Sequence, residues 1–402
     1  MMHTGSLVIA GGALEAHESA IFSRFVSAAG GPLKRFAILP AATAEPLRSI
    51  ARARKQLLLA GVQEGAIQVL ELSETEPSWK NGAYEPSVIE KALAADGVWI
   101  PGGDQNAITR LLLRPEGGDS PLLSALRTRL NAGAAIGGTS AGAAVMSDPM
   151  IGGGTSFGAL SLPRADGPGH SEIDRALWTA TGLGFYAQGI IDQHFDARAR
   201  LGRLIRAVLD DPYGRKLGFG VSEDSAMLCD AATGSFEVLG AAGVYVVDSQ
   251  AALEGPAPNA AQRAPIRELA LHYLLPGDRW DAVARKPLFL DKSPLSELPP
   301  AYALPAPCAS GPLSPYGELA AFCGRLLFDN DEALLKRDAR GRPYVQGYLI
   351  EELDGQAQGW ELRFARQEGL SSAWLAADGR VAFQHARIDL IPLSIKISAQ
   401  YA

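Results

Sequence analysis

Short apolar runs alternate with stretches of helical spacing along the first third of this chain. Leu7-Val8-Ile9-Ala10 closes at Gly11-Gly12, and Ser19 to Ala29 then repeats its apolar positions as one face of a helix. Arg35-Phe36-Ala37-Ile38-Leu39-Pro40 reads as a second buried strand, followed by a helical stretch from Pro46 to Ala60 and the strand Ile67-Gln68-Val69-Leu70. Pro86 to Ala95 leads to Gly97-Val98-Trp99-Ile100. The stretches Asn106 to Leu113 and Leu122 to Asn131 then lead to Ala134-Ala135-Ile136-Gly137. This alternation predicts an α/β fold with a doubly wound, mostly parallel sheet covered on both faces. In such sheets chemistry sits beyond the C-terminal strand ends, where Gly11-Gly12, Pro101-Gly102-Gly103-Asp104 and Gly137-Gly138-Thr139-Ser140 fall. No G-x-G-x-x-G follows the first strand, so nothing supports a dinucleotide fold.

The pattern changes further on. Residues 152–169 are rich in Gly and Pro and read as a long loop close enough to Ser140 to act as a lid. Strand-like runs return at Gln188 to Ile191 and Leu217 to Val221, and alternation over Phe236 to Val247 suggests a β-hairpin. Seven prolines, Pro294, Pro299, Pro300, Pro305, Pro307, Pro312 and Pro315, crowd the interval from Asp291 to Pro315. The division expected is therefore a catalytic domain over 1–290, a connector over 291–315 and a β-rich extension over 316–402. Alternation such as Trp360-Glu361-Leu362-Arg363-Phe364, with turns at Asp354-Gly355 and Asp378-Gly379, supports strands in that last part.

Candidate chemistry begins at Gly138-Thr139-Ser140-Ala141-Gly142, a G-x-S-x-G run. Its glycines suit a sharp strand-to-helix turn that lifts the hydroxyl clear of the sheet. The first N–H groups of the following segment, that of Ala141 among them, would face a developing oxyanion. The alternative is a Gly-rich turn with an incidental serine. A serine nucleophile needs a base, and of six histidines only His194 sits in a dense polar setting after an apolar run. His3 and His17 are near the N-terminus and His170 closes the Gly-rich loop. His272 and His385 lie in alternating segments, as structural histidines do. Glu223 and Asp224 follow the strand Gly218-Phe219-Gly220-Val221, and either could orient the imidazole. Arg198, Arg200, Arg203 and Arg206 form either a solvated basic helix or a pocket for a carboxylate. Arg200 and Arg203 have the spacing to share a face.

Composition narrows the function classes. Lys and Arg number 37 against 44 Asp and Glu, without a long basic run, which argues against a nucleic-acid surface. No run is apolar for long enough to span a bilayer, and the start has no signal-peptide pattern, so no membrane partner and a cytoplasmic location are expected. Cys229, Cys308 and Cys323 are widely spaced and H-E-x-x-H is absent, so neither a metal nor another cofactor is expected.

Four blocks in this order closely resemble the cyanophycinase family, over about residues 5 to 290. They are Pro101-Gly102-Gly103-Asp104-Gln105, Gly138 to Met146, Ile191-Asp192-Gln193-His194-Phe195 with Arg198, Arg200 and Arg203, and Glu223-Asp224-Ser225-Ala226. These are serine peptidases related to peptidase E, with a fold similar to class I glutamine amidotransferases. The resemblance implies Ser140 as nucleophile, His194 as base and Glu223 as acid, with backbone N–H groups near Gly103 and of Ala141 as the oxyanion hole. It implies that Gln105, Asp192, Gln193, Arg198, Arg200 and Arg203 line the substrate pocket. It implies cleavage of cyanophycin, a poly-aspartate bearing arginine on each side-chain carboxyl, to β-Asp-Arg dipeptides by a homodimer. The alternatives are a peptidase E-like hydrolase of short aspartyl or isoaspartyl peptides and a non-catalytic binding protein on the same fold.

Overall fold

The computed structural model describes residues 5–14, 18–168, 175–257, 263–305, 308–309, 318–353 and 355–395. His3, His17, His170, Gly169, Pro307, Pro312, Pro315 and Asp354, named above, lie outside them.

Five short strands form the parallel half of a first sheet: β1 (Ser6–Ala10), β2 (Phe36–Ile38), β3 (Ile67–Val69), β4 (Gly97–Ile100) and β5 (Ala135–Thr139). Their order is β1-β5-β4-β2-β3, every neighbouring pair parallel. Apart from the exposed Gln68 of the edge strand β3, both faces are largely buried, which is why these strands read as apolar runs rather than alternations. Val8, Ala10, Trp99 and Ala135 pack on Phe22, Phe25, Ile50 and Leu57 of α1 (Glu18–Ala28) and α2 (Pro46–Leu59). Leu7, Ile9, Val98 and Ile136 face the opposite layer. That layer holds α3 (Pro86–Ala94), α4 (Gln105–Leu112) and α5 (Pro121–Asn131). Asp104 and Ser120 cap α4 and α5 by accepting from the N–H groups of Asn106 and Leu123.

The segment expected as a long loop contains structure of its own. After the single turn α6 (Ala141–Ala144), it opens in β6 (Met150–Gly153), which pairs with β7 (Trp178–Ala180), and continues into α7 (Ser156–Ser161). Gly152 and Gly153 are small because the Trp178 ring lies on them: a Cβ at Gly152 would stand 2.2 Å from it. Phe157, Ala159 and Leu160 bury the helix.

A second sheet starts with β8 (Ile190–Asp192) and β9 (Leu217–Val221), which are parallel. In β9, Leu217, Phe219 and Val221 face the first sheet's core. A Cβ at Gly218 would meet Leu204 and Val208 of α8 (Leu201–Leu209), and one at Gly220 would meet Phe195. The strands β10 (Ser225–Asp230), β11 (Phe236–Gly240) and β12 (Val244–Asp248) correct the expected hairpin. β11 pairs with β10, which extends the first sheet antiparallel to β1, whereas β12 pairs with β9 in the second. Alternation within each strand was real, but both faces of β12 are covered, and the chain crosses between sheets at residues 241–243.

The second sheet runs through position 291. The strand Ile266–Leu274 pairs with β12 on one side and with Val381–Ser394 on the other, and Gln356–Ala365 and Pro343–Leu353 continue beyond. Leu269, Leu271 and Tyr273 share one apolar cluster with Phe364, Phe383, Ile388 and Leu390. Thus the strand-rich C-terminal part is present as read, and its strands are hydrogen-bonded into the sheet that carries β8 and β9. Among the described residues, no helix is long and apolar enough to cross a membrane.

Candidate active site

Strand ends from both sheets meet at Gly11-Gly12. The Gly11 carbonyl accepts from the His194 N–H at 2.7 Å, and the Gly12 carbonyl accepts from the Asp224 N–H at 3.0 Å. Gly12 has φ +100°, and a Cβ there would lie 2.4 Å from the His194 ring. Side chains following β5, β8 and β9 are thereby brought to one point.

Ser140 leaves β5 with φ +54° and ψ −111°, a left-handed conformation that costs a non-glycine residue energy. Its N–H donates to the Ala10 carbonyl, and its own carbonyl accepts from the N–H groups of Ala143 and Ala144. Close backbone packing explains the flanking glycines: a Cβ at Gly138 would stand 2.3 Å from the Gly142 carbonyl oxygen, and one at Gly142 would stand 2.1 Å from that of Ile100. The helix after Ser140 is a single turn, Ala141–Ala144, shorter than the apolar run to Met146 suggests.

Ser140 Oγ lies 2.9 Å from His194 Nε2, and His194 Nδ1 lies 2.5 Å from Glu223 Oε1. Of the two acids left open by the sequence, Glu223 is the one in contact. His194 is buried, and burial holds its pKa below the ordinary histidine value. The Glu223 hydrogen bond opposes this, and the charges of Arg198 and Arg200 add to it. The imidazole is therefore neutral at neutral pH. A neutral imidazole between a hydroxyl and a carboxylate can take the hydroxyl proton and be stabilised once charged.

A cavity of about 450 Å³ opens against Ser140 and His194. Gly103 lines it with φ +149°, held where a Cβ would strike the Ala42 carbonyl. Its opposite wall comes from α1 and α2, through Glu18, Phe22 and Arg52. Glu18 accepts from Arg52 at 2.9 Å and from Gln56 at 2.8 Å. The helical spacing of α1 and α2 announced a packing face, but nothing in it marked this polar wall, which only the fold assembles.

The remaining predicted site residues divide. Asp192 and Arg203 are nearly fully buried and hold each other, with Arg203 Nε and Nη2 on the carboxylate at 2.8 and 2.6 Å. Arg203 also donates to the Gly154 carbonyl at 2.9 Å. Gln105 donates to the carbonyls of Ile151 and Gly152. Arg200, at the N-cap of α8, donates to the Gln193 carbonyl at 2.5 Å and lies 3.5 Å from Asp192. Burial, and then the Arg203 charge, push the Arg200 pKa down to about 9, so it remains charged at neutral pH. The buried Gln193 Oε1 has no hydrogen-bond partner among the described residues, and Arg198 is exposed. Thus Arg198, Arg200 and Gln193 keep unspent polar capacity, whereas Asp192 and Arg203 satisfy each other.

The family model of peptidase family S51 matches residues 7–230, which include every side chain just described except those of the later sheet strands. A cyanophycinase of Nostoc sp. (strain PCC 7120 / SAG 25.82 / UTEX 2576) is 33% identical over 286 residues, 70% of this chain and 87% of that protein. A cyanophycinase of Geminocystis herdmanii (strain PCC 6308) is 32% identical over 290 residues, 71% of this chain and 97% of that protein. Among solved structures, a peptidase from an acI-B1 actinobacterium aligns at TM-score 0.46 and 19% identity, covering 61% of this chain and 91% of that one. The match of more than half the chain to the family model, together with relatives aligned over most of their own length, shows that the chain belongs to peptidase family S51, alongside the cyanophycinases, and is a serine-type peptidase.

Proposed function

We propose that this peptidase hydrolyses cyanophycin to β-Asp-Arg dipeptides through an acyl-enzyme on Ser140. The observation that carries the reading is the hydrogen-bonded series Ser140, His194, Glu223 at the head of a cavity. Ser140 sits on a nucleophile elbow and attacks the scissile carbonyl carbon while His194 Nε2 takes its proton. Glu223 holds the imidazole with Nε2 unprotonated and offsets the charge that forms. Backbone N–H groups of Gly103 and Ala141 receive the oxyanion. As the C–N bond breaks, His194 returns the proton to the leaving amine. Water, deprotonated by the same imidazole, then releases the acyl group and restores Ser140. Arg198 and Arg200 meet the substrate's carboxylates, and Gln193 and Gln105 orient its amides. Asp192 and Arg203 act beneath them by positioning Arg200.

The test is soluble dipeptide release from cyanophycin granules. The Ser140→Ala protein should lose on the order of 10³ to 10⁶ of the rate with its fold intact, since only binding and oxyanion stabilisation remain. A serine-directed reagent should add one label, at Ser140. Substantial activity in Ser140→Ala, or labelling elsewhere, overturns the reading.

A further inference from the structure

A separate cavity of about 400 Å³ lies between the turn after His194 and the C-terminal part of the chain. Asp196, two residues beyond His194, Ala242 and Tyr273 form one side. Gly324, Arg325 and Arg380 form the other. The Asp378–Arg380 turn is clamped there, because Arg380 donates to the carbonyls of Ala241 and Ala242 while pairing with Asp378. Ala241 in turn donates to the Asp224 carbonyl, next to Glu223.

The groups facing this cavity are unevenly satisfied. Asp196 accepts from the Ala197 N–H at 3.0 Å, but among the described residues no Lys, Arg or His pairs with it. Burial raises its pKa although hydrogen bonds from Ser222 and the Ala197 N–H oppose the rise, so it is a buried carboxylate that no described cation neutralises. The Tyr273 hydroxyl belongs to a side chain only 4% exposed and makes no hydrogen bond to a described residue. Burial, and then the Asp196 charge, hold that phenol protonated. Arg325, exposed at the rim, has no ion pair among the described residues, whereas Arg380 is spent on Asp378 and the two carbonyls. An inner carboxylate and phenol with an outer guanidinium ask for a ligand that is cationic at its deep end and anionic at its mouth.

We infer that this cavity binds an arginine residue with a free α-carboxylate, its guanidinium on Asp196 and Tyr273 and its carboxylate on Arg325. A planar fork of N–H donors matches a carboxylate bidentately, and the volume suits a ligand of this size. The source is either a neighbouring side chain of the polymer or the released dipeptide. That choice rests on the substrate proposed above, but arginine recognition itself does not.

Calorimetric titration of the full-length Ser140→Ala protein, with Arg200→Met added to silence the catalytic cleft, separates the two. L-arginine should bind at one site, and Asp196→Asn should weaken it about tenfold or more. Arg325→Gln, a change at an exposed position that leaves the core untouched, should weaken arginine while sparing agmatine, which lacks the carboxylate. The absence of arginine heat, or binding indifferent to both substitutions, overturns the inference. In the otherwise wild-type enzyme, Arg325→Gln should raise KM for cyanophycin several-fold if polymer side chains are the source. If the dipeptide is the source, it should instead abolish an effect of added β-Asp-Arg on rate. Failure of the enzyme to release dipeptide at all would sink the proposed substrate and leave the titration result standing.

Discussion

At the scale of single residues, the mechanism proposed above makes the protonation state of His194 decide when the site works. Burial holds its pKa below the ordinary histidine value, and the Arg198 and Arg200 charges push in the same direction. A base must be neutral, so activity is lost as pH falls through this pKa, and the acid limb of kcat/KM should lie below about 6.5, the unperturbed value. Arg198→Gln removes one of the two positive charges, so the imidazole becomes easier to protonate and the limb should move to higher pH. A pH profile of kcat/KM checks this independently of any change in KM, and an unmoved midpoint would show that Arg198 does not act on the imidazole. The sequence pointed to Ser140 and His194 because each follows a strand and carries chemistry its neighbours lack, but it left Glu223 and Asp224 open, and only the contact with His194 Nδ1 separates them. It did not disclose which arginines are free. Arg203 meets Asp192 across the β8–α8 contact and Arg198 points to solvent, a division set by packing rather than by spacing.

Among elements, α8 is tied to β8 and to the turn after β6 by one side chain. Arg203 reaches from the helix to Asp192 at the end of β8 and to the Gly154 carbonyl. Replacing Arg203 with Met would leave the Asp192 carboxylate 1% exposed and deprived of its bidentate partner. Breaking a buried pair from one side costs about 3 to 5 kcal/mol, so Arg203→Met should lower the denaturant midpoint markedly as well as activity. Arg200→Met, at a position with no bidentate carboxylate, should lose activity with little change in that midpoint. Equal stability losses in the two variants would remove the distinction. The elements around them were largely readable: α1 to α5 and β1 to β5 lie within a residue or two of their apolar patterns. The misread pieces were β6, where glycines needed for the Trp178 contact looked like loop, with α7 after it, and the 236–247 alternation, whose two strands belong to different sheets.

For the whole molecule, the question is whether residues beyond the proline-rich interval can be removed. Composition alone suggested a separable extension, because seven prolines interrupt the pattern and every group of the proposed catalytic relay precedes them. Pairing across that interval argues otherwise. Val381–Ser394 occupies one full edge of Ile266–Leu274, with Leu271 opposite Ala386 and Tyr273 opposite Phe383. Cutting at Leu290 would open that edge and bare Ile266, Leu269, Leu271 and Tyr273, all buried within a cluster shared with Phe364, Ile388 and Leu390. Exposing a large apolar side chain costs about 1.5 to 3 kcal/mol, so four together approach the roughly 5 to 15 kcal/mol that holds a domain folded. An unpaired apolar strand edge is moreover a site for association. A chain ending at Leu290 should therefore be insoluble or lack the near-UV circular dichroism of the full protein, and should have no measurable turnover of a soluble dipeptide-sized substrate. A soluble truncated chain with native near-UV signal and full dipeptide kcat would show that the second sheet closes without its C-terminal strands, and that those strands serve recognition alone.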